Sequence, residues 1–376
     1  MDPLGSTQVV PYLEGLARTG IRFELITFEK RSQSSSEQRM ALTSTRLKNA
    51  GIRWHPLRYH KAPRVPATLY DVGVGALLLR DLARTSRFDA FHCRGDITPM
   101  IVRLSRLEGP LLLDMRGFFS DERVDAGSWA ANGMLDRVVR ATEKGNLARA
   151  RQIVVLTERG RDLLRTRGVT QPIEVIPTCV DCELFKPEAS QREALFDLVY
   201  FGSLGGWYMT QQMLDFVVEL RRSGQPLRVL FLTNNADAEA REKLAQAQIT
   251  VQTCAPEDVP SWLAQCRATF FFIRATPSKI ASCPTKLAEA LAIGLPVLTG
   301  PGVGDVDKIV QEGRVGVVLP DFSTESYRNG WAAMTALLND PMTPMRCRSV
   351  AESRLSLHLA IEAYRRAYDQ LGETAL

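Results

Sequence analysis

Along this 376-residue chain, short alternating or wholly apolar runs trade places with stretches in which apolar residues recur every three or four positions. The first pattern predicts strands and the second predicts amphipathic helices. In the first half strands are expected at 22–28, 52–57, 88–93, 111–115 and 152–157, with a further strand opening at 173. Helices are expected at 6–20, 35–50, 67–83, 98–107, 129–148 and 158–167, the first of them capped by Ser6 or Thr7 after a loop over residues 2–6. The second half repeats the alternation, with strands at 198–202, 228–232, 249–253, 269–273, 296–299 and 315–319. Its helices are expected at 210–222, 236–247, 259–264, 324–338 and 357–371, with a short one opening near Pro284. Repeated strand–helix units imply α/β folding on doubly wound parallel sheets, which bind ligands at the carboxyl ends of their strands.

Length alone predicts two domains. A polar linker at 186–192 places the boundary, giving an amino-terminal domain over 1–186 and a second domain over 187–356. No apolar run approaches the roughly 18 residues of a membrane span, and no signal peptide opens the chain. Seven scattered cysteines, an odd number, point to reduced thiols and a cytoplasmic protein. Cys179 and Cys182 form a lone CxxC without a second pair, so no metal site is expected. Net charge is +5, and its distribution matters more than its size: residues 1–185 carry 28 Lys and Arg against 21 Asp and Glu, and the remainder 19 against 21. A basic first half suits a membrane surface at the inner face, an anionic carrier lipid or a phosphorylated acceptor. Basic residues are not interleaved with aromatics, which argues against nucleic acid.

The chemistry concentrates in TPSKIASCPTKLAEALAIGLPVLTGPGVGD, residues 276–305. Ser282, Pro284 and Thr285 lead into a helix in which proline is tolerated because the amide it lacks would be unpaired in a first turn. Lys286 and Glu289 share one face of that helix while Leu287, Leu291 and Ala292 lie on the buried one. Gly294 ends it. First-turn amides, the helix dipole, Lys279 and Lys286 together suit a diphosphate, and Glu289 suits two ribose hydroxyls. Gly202 and Ser203, in a glycine-rich turn after a strand, bring backbone toward the same end, where FFFIR delivers Arg274 for phosphate contact.

The run SCPTKLAEALAIGLPV resembles the donor-sugar-nucleotide signature of retaining GT-B glycosyltransferases, in particular glycosyltransferase family 4 of the bacterial surface-polysaccharide or secondary-metabolite type. That resemblance implies two facing Rossmann-like domains, with a closing helix at 357–376 returning to the first. It implies a nucleotide-diphosphate sugar such as a UDP- or GDP-sugar as substrate, no cofactor and no bound metal. The expected reaction moves a hexose to an acceptor hydroxyl with retention, the leaving phosphate helping to take the acceptor proton. Acceptors open to it are a glycan, a lipid-linked saccharide or a small molecule. Gly5, with Ser6, matches the family's first phosphate and acceptor loop, although the strand that normally precedes it is missing from the sequence. LLLDMRGFFSDERVDAGSW resembles a segment of a subset of the family and, with the strand end at His92, supplies Asp114, Arg116, Asp121 and His92 as catalytic or acceptor-orienting candidates. Pro177, Asp181 and Phe185 match the interdomain crossing. Two departures stand out: Ala281 occupies the position of the family's first signature glutamate, and Trp207 and Tyr208 stand where a basic residue is common. A GT-B epimerase or hydrolase, or a non-catalytic nucleotide-sugar-binding partner, are the alternative readings.

Overall fold

The computed structural model describes residues 3–30, 35–187 and 194–372. The chain divides into two compact units, the first holding residues 1–156, 161–176 and 357–376 and the second holding 157–160 and 177–356.

Unit 1 opens with two short helices, α1 (Pro3–Gln8) and α2 (Val10–Arg18). The loop expected over 2–6 is therefore helical from Pro3 on, and residue 2 lies outside the described residues. The single helix expected from Ser6 is broken at Val9, because Pro11 falls in the first turn of α2 and has no amide with which to continue the ladder. There follow β1 (Glu24–Glu29), α3 (Ser35–Asn49), β2 (Arg53–Arg58), α4 (Arg64–Leu82), β3 (Phe91–Arg94), α5 (Thr98–Ser105), β4 (Leu111–Asp114), α6 (Phe119–Asp125), α7 (Met134–Arg149), β5 (Gln152–Val155), α8 (Glu158–Thr166) and β6 (Ile173–Val175). Short α6 escaped the periodicity, since seven residues give too few turns to show it.

Strands of unit 1 form two parallel sheets, β1-β2 and β3-β4-β5-β6, and among the described residues no strand precedes α1. Helix α4 packs closely on β1 and α5 at Gly75, where a Cβ would lie 3.1 Å from Phe28 Cζ and 3.0 Å from Ile101 Cδ1, so a larger residue would make these side chains give way. All four residues of β4 are buried, as a parallel strand covered on both faces requires.

Unit 2 contains β7 (Phe196–Phe201), α9 (Thr210–Arg222), β8 (Val229–Leu232), α10 (Ala238–Gln246), β9 (Thr250–Gln252), α11 (Val259–Leu263), β10 (Cys266–Phe271), α12 (Thr285–Ile293), β11 (Val297–Thr299), α13 (Val306–Gly313), β12 (Gly316–Val318), α14 (Thr324–Asn339) and α15 (Thr343–Arg354). Its single parallel sheet has the order β12-β11-β10-β7-β8-β9. The winding reverses between β10 and β7, and at such a switch point the loops beyond the two strands part to leave a ligand crevice. Helix α15 was not expected, because its buried Cys347, Val350 and Ala351 are diluted by arginines. Closing helix α16 (Leu357–Gly372) belongs to unit 1. It lies so close to α2 that a Cβ at Gly15 would meet Ile361 Cδ1 at 2.1 Å.

Candidate active site

The switch point of unit 2 gathers most of the expected donor residues. Beyond β7 the backbone turns at Gly202, at φ +124°, and a Cβ there would sit 2.9 Å from Lys286 Nζ. The loop that follows is fastened to the end of β10: Met209 N donates to Phe272 O at 2.9 Å, Arg274 N donates to Trp207 O at 2.9 Å, and Tyr208 bridges Ile273. Tyr200 OH donates to Ser203 O, which sets the exposed start of the turn. Trp207 then serves as a platform, with Lys279 Nζ 4.1 Å and Arg274 Cζ 5.2 Å from its ring centroid. An indole face attracts cations. The aromatic residue that departs from the family's basic one thus collects two basic side chains instead.

Past Arg274 a 3-10 turn (Pro277–Ala281) precedes Ser282 and α12. Gly304 N donates to Lys279 O and Ser282 N donates to the same carbonyl, at 2.9 and 3.1 Å. Gly304 is required here, since a Cβ would lie 2.1 Å from Ser282 O. Pro284 caps the helix in extended conformation, one position before the first turn expected for it, and Thr285 is the first helical residue. First-turn amides of α12 have no acceptor within the helix, and its dipole is positive at this end.

Lys286 corrects an expectation. The helical period sets it with Glu289 on the face opposite the buried Leu287, Leu291 and Ala292, yet only 3% of the residue is exposed. Its ammonium lies 3.6 Å from the centroid of Tyr208, 4.9 Å from that of Tyr200 and 5.9 Å from that of Phe271. Glu289, one turn on, is half-buried. Burial pulls the Lys286 ammonium well below its ordinary range and pushes the Glu289 carboxyl up, and each partly offsets the other. Three aromatic faces and one carboxylate leave a buried cation short of partners, a cost that an incoming anion relieves.

Unit 1 holds a second buried charge cluster, at the ends of β3 and β4. Asp114 is fully buried. Its Oδ2 accepts from Arg94 Nη1 at 3.0 Å and from Tyr364 OH at 3.1 Å, and its Oδ1 accepts from Arg116 Nη1 at 3.4 Å. Burial by itself would raise this carboxyl, but Arg116, His92 and Arg94 outweigh it and hold it far below the usual carboxylate range. His92 Nδ1 shares a 2.5 Å hydrogen bond with Tyr368 OH, and its Nε2 stands 3.6 Å from Asp114 Oδ2. Three of the four catalytic candidates, His92, Asp114 and Arg116, therefore meet in one cluster.

The fourth does not. Asp121, in the first turn of α6, is tied to Arg140 at 2.8 Å and to Arg167 at 2.9 Å, and Arg167 also lies over the Phe118 ring at 4.8 Å. Asp121 thus clamps α6 to its neighbours. Gly5 and Ser6 lie within α1, where Gly5 O accepts from Val9 N at 3.1 Å, so the segment expected as a loop is helical. Asp96 sits after β3 with Oδ1 buried and unbonded; burial first, then Glu143 and Glu122, push it up to about 7. The sequence gives no sign of Tyr200, Tyr364 and Tyr368 in the two clusters. Only the four-residue spacing of Tyr364 and Tyr368, which puts them on one face of α16, could have signalled a pair. Among the described residues no group of three or more His, Cys, Asp or Glu is placed to hold a metal ion.

Comparison with known proteins adds three findings. Residues 5–179 match the family described as "Glycosyl transferase 4-like domain", and residues 196–340 match "Glycosyl transferases group 1". Alpha-D-kanosaminyltransferase of Streptomyces kanamyceticus is 24% identical over 256 residues, covering 63% of this chain and 63% of that relative. Solved structures share the fold: a glycosyltransferase from Rickettsia africae (TM-score 0.73, 11% identity, 99% of this chain and 97% of that one) and sucrose-phosphate synthase from Thermosynechococcus elongatus (0.66, 14%, 93% and 98%). Anabaena HepE in complex with UDP and glucose is a third (0.64, 12%, 92% and 99%).

Proposed function

We propose that the chain, with a glycosyl transferase 4-like domain followed by a group 1 domain, is a glycosyltransferase of the GT-B type whose unit 2 holds the diphosphate of a nucleotide sugar at the amino end of α12. The observation that carries this reading is Lys286: a buried ammonium beside Gly202, opposed by one carboxylate, at the positive end of a helix. A diphosphate would receive the first-turn amides at Thr285 and Lys286, with Lys286 Nζ, Lys279 and Arg274 about it and Ser282 and Pro284 shaping the entry. Glu289 would accept from the ribose hydroxyls. Charge grows on the leaving diphosphate as the glycosidic bond breaks, and donors already aimed at it stabilise that state without reorganisation.

Transfer proceeds with retention on this reading, the departing phosphate oxygen taking the proton of the acceptor hydroxyl. Bound UDP in HepE and the kanosaminyl group in the relative's name favour a UDP-hexose donor. In unit 1 the cluster of His92 and Arg116 about Asp114 orients the acceptor. The acceptor is a glycan, a lipid-linked saccharide or a small molecule, and the basic first half makes a peripheral contact with the inner membrane face. Seven free thiols accord with a cytoplasmic setting.

Thermal unfolding against UDP, GDP and their sugars tests the donor site. The cognate nucleotide at a hundredfold excess over its Kd adds about 2.7 kcal/mol to stability. It should not do so in Lys286→Ala or Glu289→Ala. No shift with any nucleotide, in a protein that unfolds cooperatively, overturns the donor reading. The anomeric configuration of the first-formed product, read by NMR, decides retention.

A further inference from the structure

Helix α4 is apolar on both sides. Its inner face buries Ala67, Val72, Ala76 and Leu79 in the core of unit 1. On its outer face the exposed residues from 65 to 77 are Val65, Pro66, Leu69, Tyr70 and Leu77, with no charged or polar side chain among them. Leu69, Tyr70 and Leu77 are 56%, 60% and 63% exposed. A helix whose middle is apolar on both faces is normally covered on both, and a contiguous apolar surface marks a contact site.

Charge frames it at each end. Arg58 and Lys61, before the helix, and Arg64, its first residue, are exposed and have no ion pair among the described residues. Arg80 and Arg84 close the other end against the single exposed Asp81. This arrangement disfavours a second copy as the occupant. A two-fold dimer places one patch on itself, and with cations at both ends either helix direction sets like charges together. It suits a surface that is apolar beneath and anionic above.

We propose that the outer face of α4, with Arg58, Lys61 and Arg64 at its amino end, docks on an anionic lipid bilayer. Leu69, Tyr70 and Leu77 enter the headgroup boundary while the cations meet lipid phosphates, the two contributions that hold an interfacial helix. This specifies the membrane contact named above and stands apart from the donor site, which lies in unit 2.

The test is sedimentation of the full chain with phosphatidylcholine vesicles, with and without phosphatidylglycerol. The protein should pellet with the anionic vesicles only, and less as salt screens the cations. Arg58→Glu, Lys61→Glu and Arg64→Glu together should weaken binding by about a hundredfold, from roughly fivefold for each cation removed. Leu69→Glu with Leu77→Glu should abolish it. Both sites are exposed, so these variants should keep the parent's melting temperature and nucleotide binding, and Arg222→Glu, on unit 2, should bind vesicles as the parent does. No pelleting by the parent, or pelleting that both sets of substitutions leave unchanged, overturns the proposal. So does a concentration-dependent dimer that Leu69→Glu dissociates without any vesicle binding.

Discussion

The two buried charge clusters differ in how completely their charges are answered. Asp114 in unit 1 has two guanidinium groups, a tyrosine hydroxyl and an imidazole about one carboxylate. Lys286 in unit 2 has aromatic faces and one carboxylate about one ammonium. A fully answered charge is part of the frame, and removing it leaves its partners stranded. An incompletely answered one is held at a cost by the rest of the fold, which is what a site awaiting an anion requires. On the proposed reading the difference makes Asp114 an organiser of His92 and Arg116, and Lys286 the group that would meet the donor diphosphate.

The most severe test of that contrast is Asp114→Ala. Stranding Arg94 and Arg116 in a buried site should cost about 3–5 kcal/mol in urea unfolding. A cost under about 1 kcal/mol would remove the frame role. Lys286→Met, by contrast, should leave stability unchanged or raise it, yet weaken binding of the cognate nucleoside diphosphate by about 2–3 kcal/mol in calorimetry, the worth of a charge-assisted contact. If Lys286→Met unfolds the protein instead, the two clusters are alike and the contrast fails.

Protonation sharpens the same point. The folded form of Lys286 binds its proton less tightly than the unfolded chain, so its contribution to stability rises as pH climbs from about 7 toward the ordinary lysine value of 10.5. Glu289 is shifted the other way, and its contribution falls as pH rises from the ordinary 4.5 toward about 7. The unliganded pair should therefore stabilise the fold least near neutrality. A bound diphosphate restores the ammonium, so nucleotide binding should take up protons and weaken as pH rises above about 7. Calorimetry in buffers of different ionisation enthalpy reads that uptake, and buffer-independent heats would contradict it.

Smaller effects belong to unit 1. Asp96 is held up to about 7 by burial and by Glu143 and Glu122, so the folded state loses stability from this group as pH rises from 3.8 to about 7. Asp96→Asn should raise the melting temperature at pH 8 and do little at pH 4. Tyr364→Phe removes one of several hydrogen bonds to Asp114 and should cost about 0.5–1.5 kcal/mol.

Local signals served well where the chain's neighbours in sequence are its neighbours in space. The strand–helix alternation, Gly294 at the end of α12 and the grouping of Ser282 through Glu289 at one helix end all follow from period and turn chemistry. Elements with weak or short periodicity did not: α6, α15 and the break at Val9 depend on a few residues each.

The sequence by itself determined the α/β architecture and the gathering of Ser282 through Glu289 at one helix end, because a helical period of about 3.6 residues, a strand period of about two and a helix terminus are properties of adjacent positions. Only tertiary structure decided what surrounds them. It turned Lys286 from a solvated face to a wall of tyrosines brought from β7 and its loop, and set Tyr364 and Tyr368 beside Asp114 and His92 from some 250 positions away in the chain. It drew Asp121 into a clamp with Arg140 and Arg167. Burial and counter-charge are set by whatever segments meet at a point, and no period along the chain records that meeting.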